Sequence, residues 1–424
     1  MLKTLLYLVF FIEIGGLGFI NPHTTFAIYT SFGKFQIGLI LLIVIYITIF
    51  LSNRKVLKLY RNWIYLLVLV LHILIIFQFT RGYISGVSLR TLFYALSIQK
   101  MFFYFIPFVV VIKTETEINR FINYMLVLGI LSSVIALVQF NYGFWMPSSG
   151  VRYFGYGFYR VYHPGALLIA FSILYIEAKL LLDDRNSRKF YLYVILTLLS
   201  AGLITTFHRN LFVGVVLSSS VLYFYASRIS NNIKNNISLI LKILFTSGTV
   251  IVATYILLEY TGLGVSVIVD RFSSGVDDIT NTSGTFNTRI EILMNAIDEL
   301  RSISLLLGNG FNIAYNPSSA LFLTYDNTFA NIFILYGYLG IILFSLLLIS
   351  YLSTVVKLFV RTINNIIKIS LLTTMSTMIC IVISSFFSAN IVYSPNLSIF
   401  VVLMGIIFFY QNKQQMISQA NKIY

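Results

Sequence analysis

The sequence predicts an all-α polytopic membrane protein of about twelve transmembrane helices, one integral domain over residues 1–424. Three observations predict it. First, the 424 residues are 58% hydrophobic and only 10% charged, with a mean hydropathy of +0.89. Soluble domains are roughly 45–50% apolar and about 25% charged. A chain this apolar has more greasy surface than one core can hide, which excludes a water-soluble globular protein and a disordered one. Second, the apolar runs are about 20 residues long, as a hydrocarbon core of about 30 Å requires. Third, basic residues alternate in density from one loop to the next.

Taken in order, the runs give spans at 2–20, 35–52, 62–80, 92–112, 120–140, 164–182, 190–207, 210–227, 237–260, 327–356, 367–388 and 395–411. Met1–Ile20 carries Lys3 ahead of its apolar run but lacks a small-x-small cleavage site, so it reads as a retained helix rather than a signal peptide. With both termini in the cytoplasm, the inner loops hold nineteen basic residues, the outer loops nine, and Lys100 falls inside a span. That imbalance obeys the positive-inside rule and supports both the orientation and the count of twelve. The net charge of +15 is then a topogenic and anionic-lipid signal. No nucleic-acid partner is expected, because no basic soluble face exists to hold a duplex. The single cysteine, Cys380, lies in an apolar run and permits neither an intrachain disulfide nor a multi-cysteine metal site.

The outer charges differ in kind. Eight of the nine outer basic residues are Arg, whereas the inner nineteen comprise seven Arg and twelve Lys. Insertion is indifferent to that choice. Phosphate recognition is not, since the guanidinium fork matches phosphate oxygens and keeps its charge when partly dehydrated. Small-number chance is the alternative. Two outer loops are long. Residues 141–163 mix Gly, Tyr, Phe and Trp with Arg152, Arg160 and His163; the aromatics read either as an interfacial belt or as stacking surfaces for sugar rings. Residues 261–326 form the long extracytoplasmic loop between spans nine and ten. Within it, Ile290, Leu293, Ala296, Ile297, Leu300 and Ile303 make an apolar stripe at helical spacing, which predicts an amphipathic helix over Thr288–Ile303 on the membrane surface. A turn at Gly308-Asn309-Gly310 follows.

Several polar residues stand at the outer edge. Arg209 sits in Thr205-Thr206-Phe207-His208-Arg209-Asn210 between two apolar runs with almost no loop, either as a snorkelling side chain or as a fixed cation over a cavity. Asp326 opens the tenth span, either as a helix N-cap or as a proton acceptor, with Tyr325 and Asn327 beside it as sugar hydrogen-bonders. Arg289 starts the amphipathic helix; Arg160 and His163 flank the sixth span, and Arg90 enters the fourth. Each of these, with His208, has an interfacial reading beside a substrate-binding one. His72, Glu13 and Lys100 lie within spans.

Four segments in this order, RVYHPGALLIAF (160–171), TTFHRNLFVGVV (205–216), NTRIEILMNAIDEL…LLLGNGF (287–311) and YDNTFANIFILYGYLGIILF (325–344), resemble the O-antigen polymerase and O-antigen ligase superfamily of bacterial membrane glycosyltransferases. The resemblance covers roughly residues 85–350. It implies a GT-C-like helical bundle, no metal and no cofactor. It implies an undecaprenyl-pyrophosphate-linked oligosaccharide presented at the outer leaflet, among membrane lipids. A chain-length regulator and a flippase are candidate partners. It makes Arg209 the basic residue at the start of the eighth span and Arg289 that of the long loop. Asp326-Asn327 stands where ligases carry His-Asn, which favours a Wzy-type polymerase of capsule or lipopolysaccharide biosynthesis and leaves the general base open among Asp326, His163 and His208. Arg209 and Arg289, with Arg152, Arg160 or Arg90, would take the part of a metal at the leaving diphosphate. No outer carboxylate cluster with ligand spacing appears, Asp277-Asp278 being the one adjacent pair. A ligase-type transfer to a lipid or protein acceptor is the enzymatic alternative. A lipid-linked oligosaccharide flippase is the non-enzymatic one, and the single asymmetric outer loop speaks against it, since transporters tend to show paired halves.

Overall fold

The computed structural model describes residues 2–12, 27–30, 33–51, 63–142, 151–153, 159–161, 165–182, 189–206, 208–229, 248, 252, 255, 256, 259, 291, 294, 305–312, 328–387 and 394–420. Its helices are α1 (Leu2–Phe11), α2 (Ile37–Leu51), α3 (Trp63–Ile84), α4 (Leu89–Gln99), α5 (Phe105–Val111), α6 (Glu115–Tyr142), α7 (Ala166–Leu182), α8 (Lys189–Thr205), α9 (Arg209–Ile229), α10 (Thr328–Arg361), α11 (Asn365–Phe387) and α12 (Ser394–Ala420). Two short antiparallel hairpins join them: β1 (Ala27–Thr30) with β2 (Gly33–Gln36), and β3 (Val151–Tyr153) with β4 (Tyr159–Val161). Among the described residues, α3, α6, α9, α10 and α11 are long and apolar enough to cross a membrane. The chain is therefore a helical membrane protein. Of the expected ninth span, 237–260, five separate residues are described and all are helical.

The run 92–112 is not one helix. It is α4, a 3-10 turn at Lys100–Tyr104 and α5, and Lys100 opens the turn. Pro107 explains the break: it has no N–H to offer the carbonyl four residues earlier. That carbonyl, of Phe103, is met instead by the Tyr46 hydroxyl of α2 at 2.8 Å. The turn and α5 carry Phe102, Tyr104, Phe105 and Phe108 into the core, where Phe102 meets Phe344 and Phe400 edge-on and Phe108 meets Phe10 and Phe121.

Small residues bring the other helices together, as expected where lipid is as apolar as the side chains and close backbone packing decides association. Gly129 of α6 lies against Ser172 of α7, Gly202 of α8 against Ser133 of α6, and Gly214 of α9 against Cys380 of α11. A Cβ at Gly129 or Gly202 would overlap its partner serine. Ser133 also donates to the Leu198 carbonyl at 2.6 Å. These contacts assemble α6, α7, α8, α9 and α11, and α10 bridges α11 to α3.

Helix ends of like charge assignment gather at common poles. Thr114 and Glu117 form a capping box at the start of α6. The Glu117 amide donates to Thr114 Oγ1 at 3.2 Å, and Glu117 Oε2 accepts from the Thr114 amide at 3.1 Å and the Lys113 amide at 2.7 Å. Lys3 of α1 pairs with Glu117, and Lys413 of α12 pairs with Glu115. These groups, all read as lying on one side of the membrane, meet at what we term the Lys3 pole. The end of α3 at Arg81 and the first half of α10 meet through residues 305–309 at what we term the Arg81 pole.

Candidate functional site

The Arg81 pole contains a helix break. The apolar stretch Thr328–Arg361 is interrupted at Gly337, whose φ of 61° and ψ of −156° are outside helical space. A break orphans amides on one side and carbonyls on the other. The segment Leu305–Asn312 supplies the missing partners from its own backbone. The amides of Tyr338 and Leu339 donate to the carbonyls of Leu305 at 3.0 Å and Leu306 at 3.2 Å, and the Asn309 amide donates to the Ile334 carbonyl at 2.7 Å. Such intimacy requires glycine. A Cβ on Gly337 would stand 2.5 Å from the Gly308 nitrogen and from the carbonyl oxygens of Leu305 and Leu306. Gly308 (φ 68°) and Gly310 (φ 62°) occupy left-handed backbone space.

Two side chains of α3 hold this segment. Gln78, fully buried, donates from Nε2 to the Leu307 carbonyl at 2.6 Å, and Arg81 donates from Nη1 to the Gly308 carbonyl at 2.9 Å. Sequence reasoning counted Arg81 among the outer arginines without giving it a role of its own, and did not name Gln78. It found the Gly-Asn-Gly turn, but not that the turn closes on Gly337. The one available signal was a glycine inside an otherwise helical apolar run.

The second element of the candidate site is the reversal between α8 and α9. Thr205 and Thr206 are buried and bond back through their hydroxyls to the carbonyls of Gly202 at 2.8 Å and Leu203 at 2.6 Å, which ends α8. The His208 carbonyl accepts the first bonds of α9, from Leu211 and Phe212, both at 3.0 Å. His208, half-buried, is thus the N-cap and Arg209 the first helical residue. A cation is unfavourable there, where the helix dipole is positive, by about 0.3–1 kcal/mol. An anion placed at that end would be attracted by the charge and the dipole together.

Along their own helices, Arg209 and Arg228 bracket α9 at a rise of about 28 Å, Gly337 stands about 30 Å from Lys357 in α10, and Arg81 about 27 Å from Trp63 in α3. Each distance is about one hydrocarbon thickness. The nine residues Thr328–Tyr336 make about 13 Å of helix and are nearly all buried.

Of the other expected site residues, Arg90 is the second residue of α4, after the Ser88 hydroxyl that accepts from the Thr91 amide at 3.3 Å. The register of the β3–β4 hairpin sets Arg152 directly opposite Arg160, a pairing the spacing did not reveal. Arg289, His163, Tyr325, Asp326 and Asn327 lie outside the described residues. In the expected amphipathic helix, Glu291 and Met294 are helical and exposed, and its remaining positions also lie outside. Among the described residues, no group of three or more His, Cys, Asp or Glu is placed to hold a metal ion.

No protein-family model matches the chain, and no curated protein matches it.

Proposed function

We propose that the chain is a polysaccharide polymerase of the O-antigen polymerase type, a GT-C-like bundle crossing the bacterial plasma membrane about twelve times with both termini in the cytoplasm. It transfers an undecaprenyl-pyrophosphate-linked glycan onto the next lipid-linked repeat unit at the outer leaflet. The observation that carries the reading is Arg209, the first residue of the apolar helix α9, which the proposed topology sets at the outer membrane edge, where a lipid diphosphate would reside. A further point supports it: the register of the β3–β4 hairpin sets Arg152 opposite Arg160.

The chemistry follows from the residue types. The acceptor hydroxyl oxygen forms a bond to the donor's anomeric carbon as the bond from that carbon to the lipid diphosphate breaks. The hydroxyl proton passes to Asp326, His163 or His208, and the departing diphosphate takes the bonding electron pair. Arg209 and Arg289 neutralise the charge that develops there, and Arg90, Arg152 and Arg160 orient the donor. Single displacement inverts the anomeric centre. Tyr325 and Asn327 hydrogen-bond the sugar.

Incubating the purified protein with an undecaprenyl-pyrophosphate repeat unit tests the reading. A ladder of products, persisting on chelation of divalent metal, is expected. Arg209→Ala in a folded protein is expected to lower the rate by about 10²–10³, the cost of losing one donor that acts in the transition state. A single shifted acceptor would instead identify a ligase, and translocation without bond formation a flippase. A full ladder from Arg209→Ala and Arg289→Ala alike would remove the diphosphate clamp.

A further inference from the structure

The half-helix Thr328–Tyr336 begins two residues after Asp326 in the sequence, and its direction has to be set by something. Covalent geometry does not set it, because Gly337 interrupts the helix and glycine tolerates many backbone angles. The Leu305–Asn312 segment does, through Asn309 on the first half of α10 and Leu305 and Leu306 on the second. That segment in turn hangs from α3 by the Gln78 and Arg81 side chains, more than two hundred residues away in sequence.

We propose that Gln78 and Arg81 are positioning residues for glycosyl transfer: by gripping the carbonyls of Leu307 and Gly308 they seat this segment in the break of α10 and aim the half-helix into which Asp326 and Asn327 lead. The proposal rests on the transferase reading above. Its physical content is directional. Apolar packing would stabilise the junction without fixing its register, whereas an amide and a guanidinium donating to two successive carbonyls hold one register only. The missing Cβ of Gly310 is part of the same fit, since a Cβ there would overlap the Gln78 amide oxygen. Arg81 also differs in kind from the diphosphate-binding arginines, because its charge is engaged by a backbone carbonyl. Its loss acts on turnover through geometry and leaves donor binding in place.

The test uses the full chain in lipid nanodiscs, with Arg81→Ala, Arg81→Lys and Gln78→Leu. Hydrogen exchange is followed in peptides covering 305–312 and 334–340, with α7 peptides as the internal reference. Steady-state kinetics use a lipid-diphosphate-linked glycan donor. Loss of a charge-assisted bond is expected to speed exchange in the two junction peptides by about 10- to 100-fold in Arg81→Ala, leave α7 unchanged, and be largely restored in Arg81→Lys. The kcat is expected to fall with the exchange effect while KM for the donor stays within about twofold, because a positioning residue does not touch the donor. If Arg81→Ala does not accumulate, Gln78→Leu gives the same comparison. Unchanged junction exchange would overturn the grip, and faster exchange with unchanged kcat would overturn the positioning role. A raised KM that Arg81→Lys restores would make Arg81 a donor ligand instead. If the wild-type chain protects the junction yet transfers no sugar, the transferase reading fails separately and the positioning role falls with it, while the grip on the segment stands.

Discussion

Replacing Gly337 by Ala puts the break in α10 under direct test. The residue sits at φ 61° and ψ −156°, a region essentially reserved for glycine, and forcing another residue there costs about 1–3 kcal/mol. The added Cβ would lie 2.5 Å from three backbone atoms of the 305–308 segment, too close for any side-chain rearrangement to relieve, so the segment must withdraw. Withdrawal breaks the bonds from Tyr338 and Leu339 to Leu305 and Leu306, each contributing about 1 kcal/mol. The sum is a loss of about 3–5 kcal/mol. Reversible unfolding in mixed micelles, followed by circular dichroism, measures it. Gly86→Ala serves as the comparison: φ there is 83° but no atom lies within 4 Å of the new Cβ, so only strain of about 1 kcal/mol is expected. Equal destabilisation by the two substitutions, or a loss below about 1 kcal/mol at Gly337, would refute the account of a backbone segment seated in the break.

Two further outcomes follow from local geometry. Thr114→Ala removes the hydroxyl half of the capping box at the head of α6 and is expected to destabilise by about 1 kcal/mol in the same unfolding measurement, independently of salt. Tyr351→Phe removes a buried hydroxyl that donates from α10 to the Thr374 carbonyl of α11 at 3.0 Å. Interhelical bonds of this kind contribute about 0.6 kcal/mol and at most about 1.7, so a small loss of stability without loss of transfer activity is expected.

Much of the architecture was legible in the residues. Runs such as Trp63–Ile84 and Asn365–Phe387 are apolar over a bilayer's width, and a helix that long satisfies its own backbone wherever it sits. Lys3 and Lys413, counted on the same side from the sequence, pair with Glu117 and Glu115 at the head of α6. Thr114-Glu115-Thr116-Glu117 carries a capping signature in four letters. For the candidate site, sequence isolated Arg209 and the Gly308-Asn309-Gly310 turn. It counted Arg81 only as one outer arginine among eight, and did not indicate Gln78, the facing of Arg152 and Arg160, or the Pro107 break whose freed carbonyl is met by Tyr46.

The division has one physical cause. Hydrophobic length and capping are properties of residues close together in the chain, so composition and spacing determined the membrane class and most of the helical segments. A broken helix is another matter. Gly337 lies in a run apolar enough to be read as continuous, and its break is stable only because amides and carbonyls from residues 305–309 answer the orphaned groups while α3 holds that segment in place. Such partnership between distant stretches of backbone leaves almost no trace in periodicity, and only the tertiary structure could decide it.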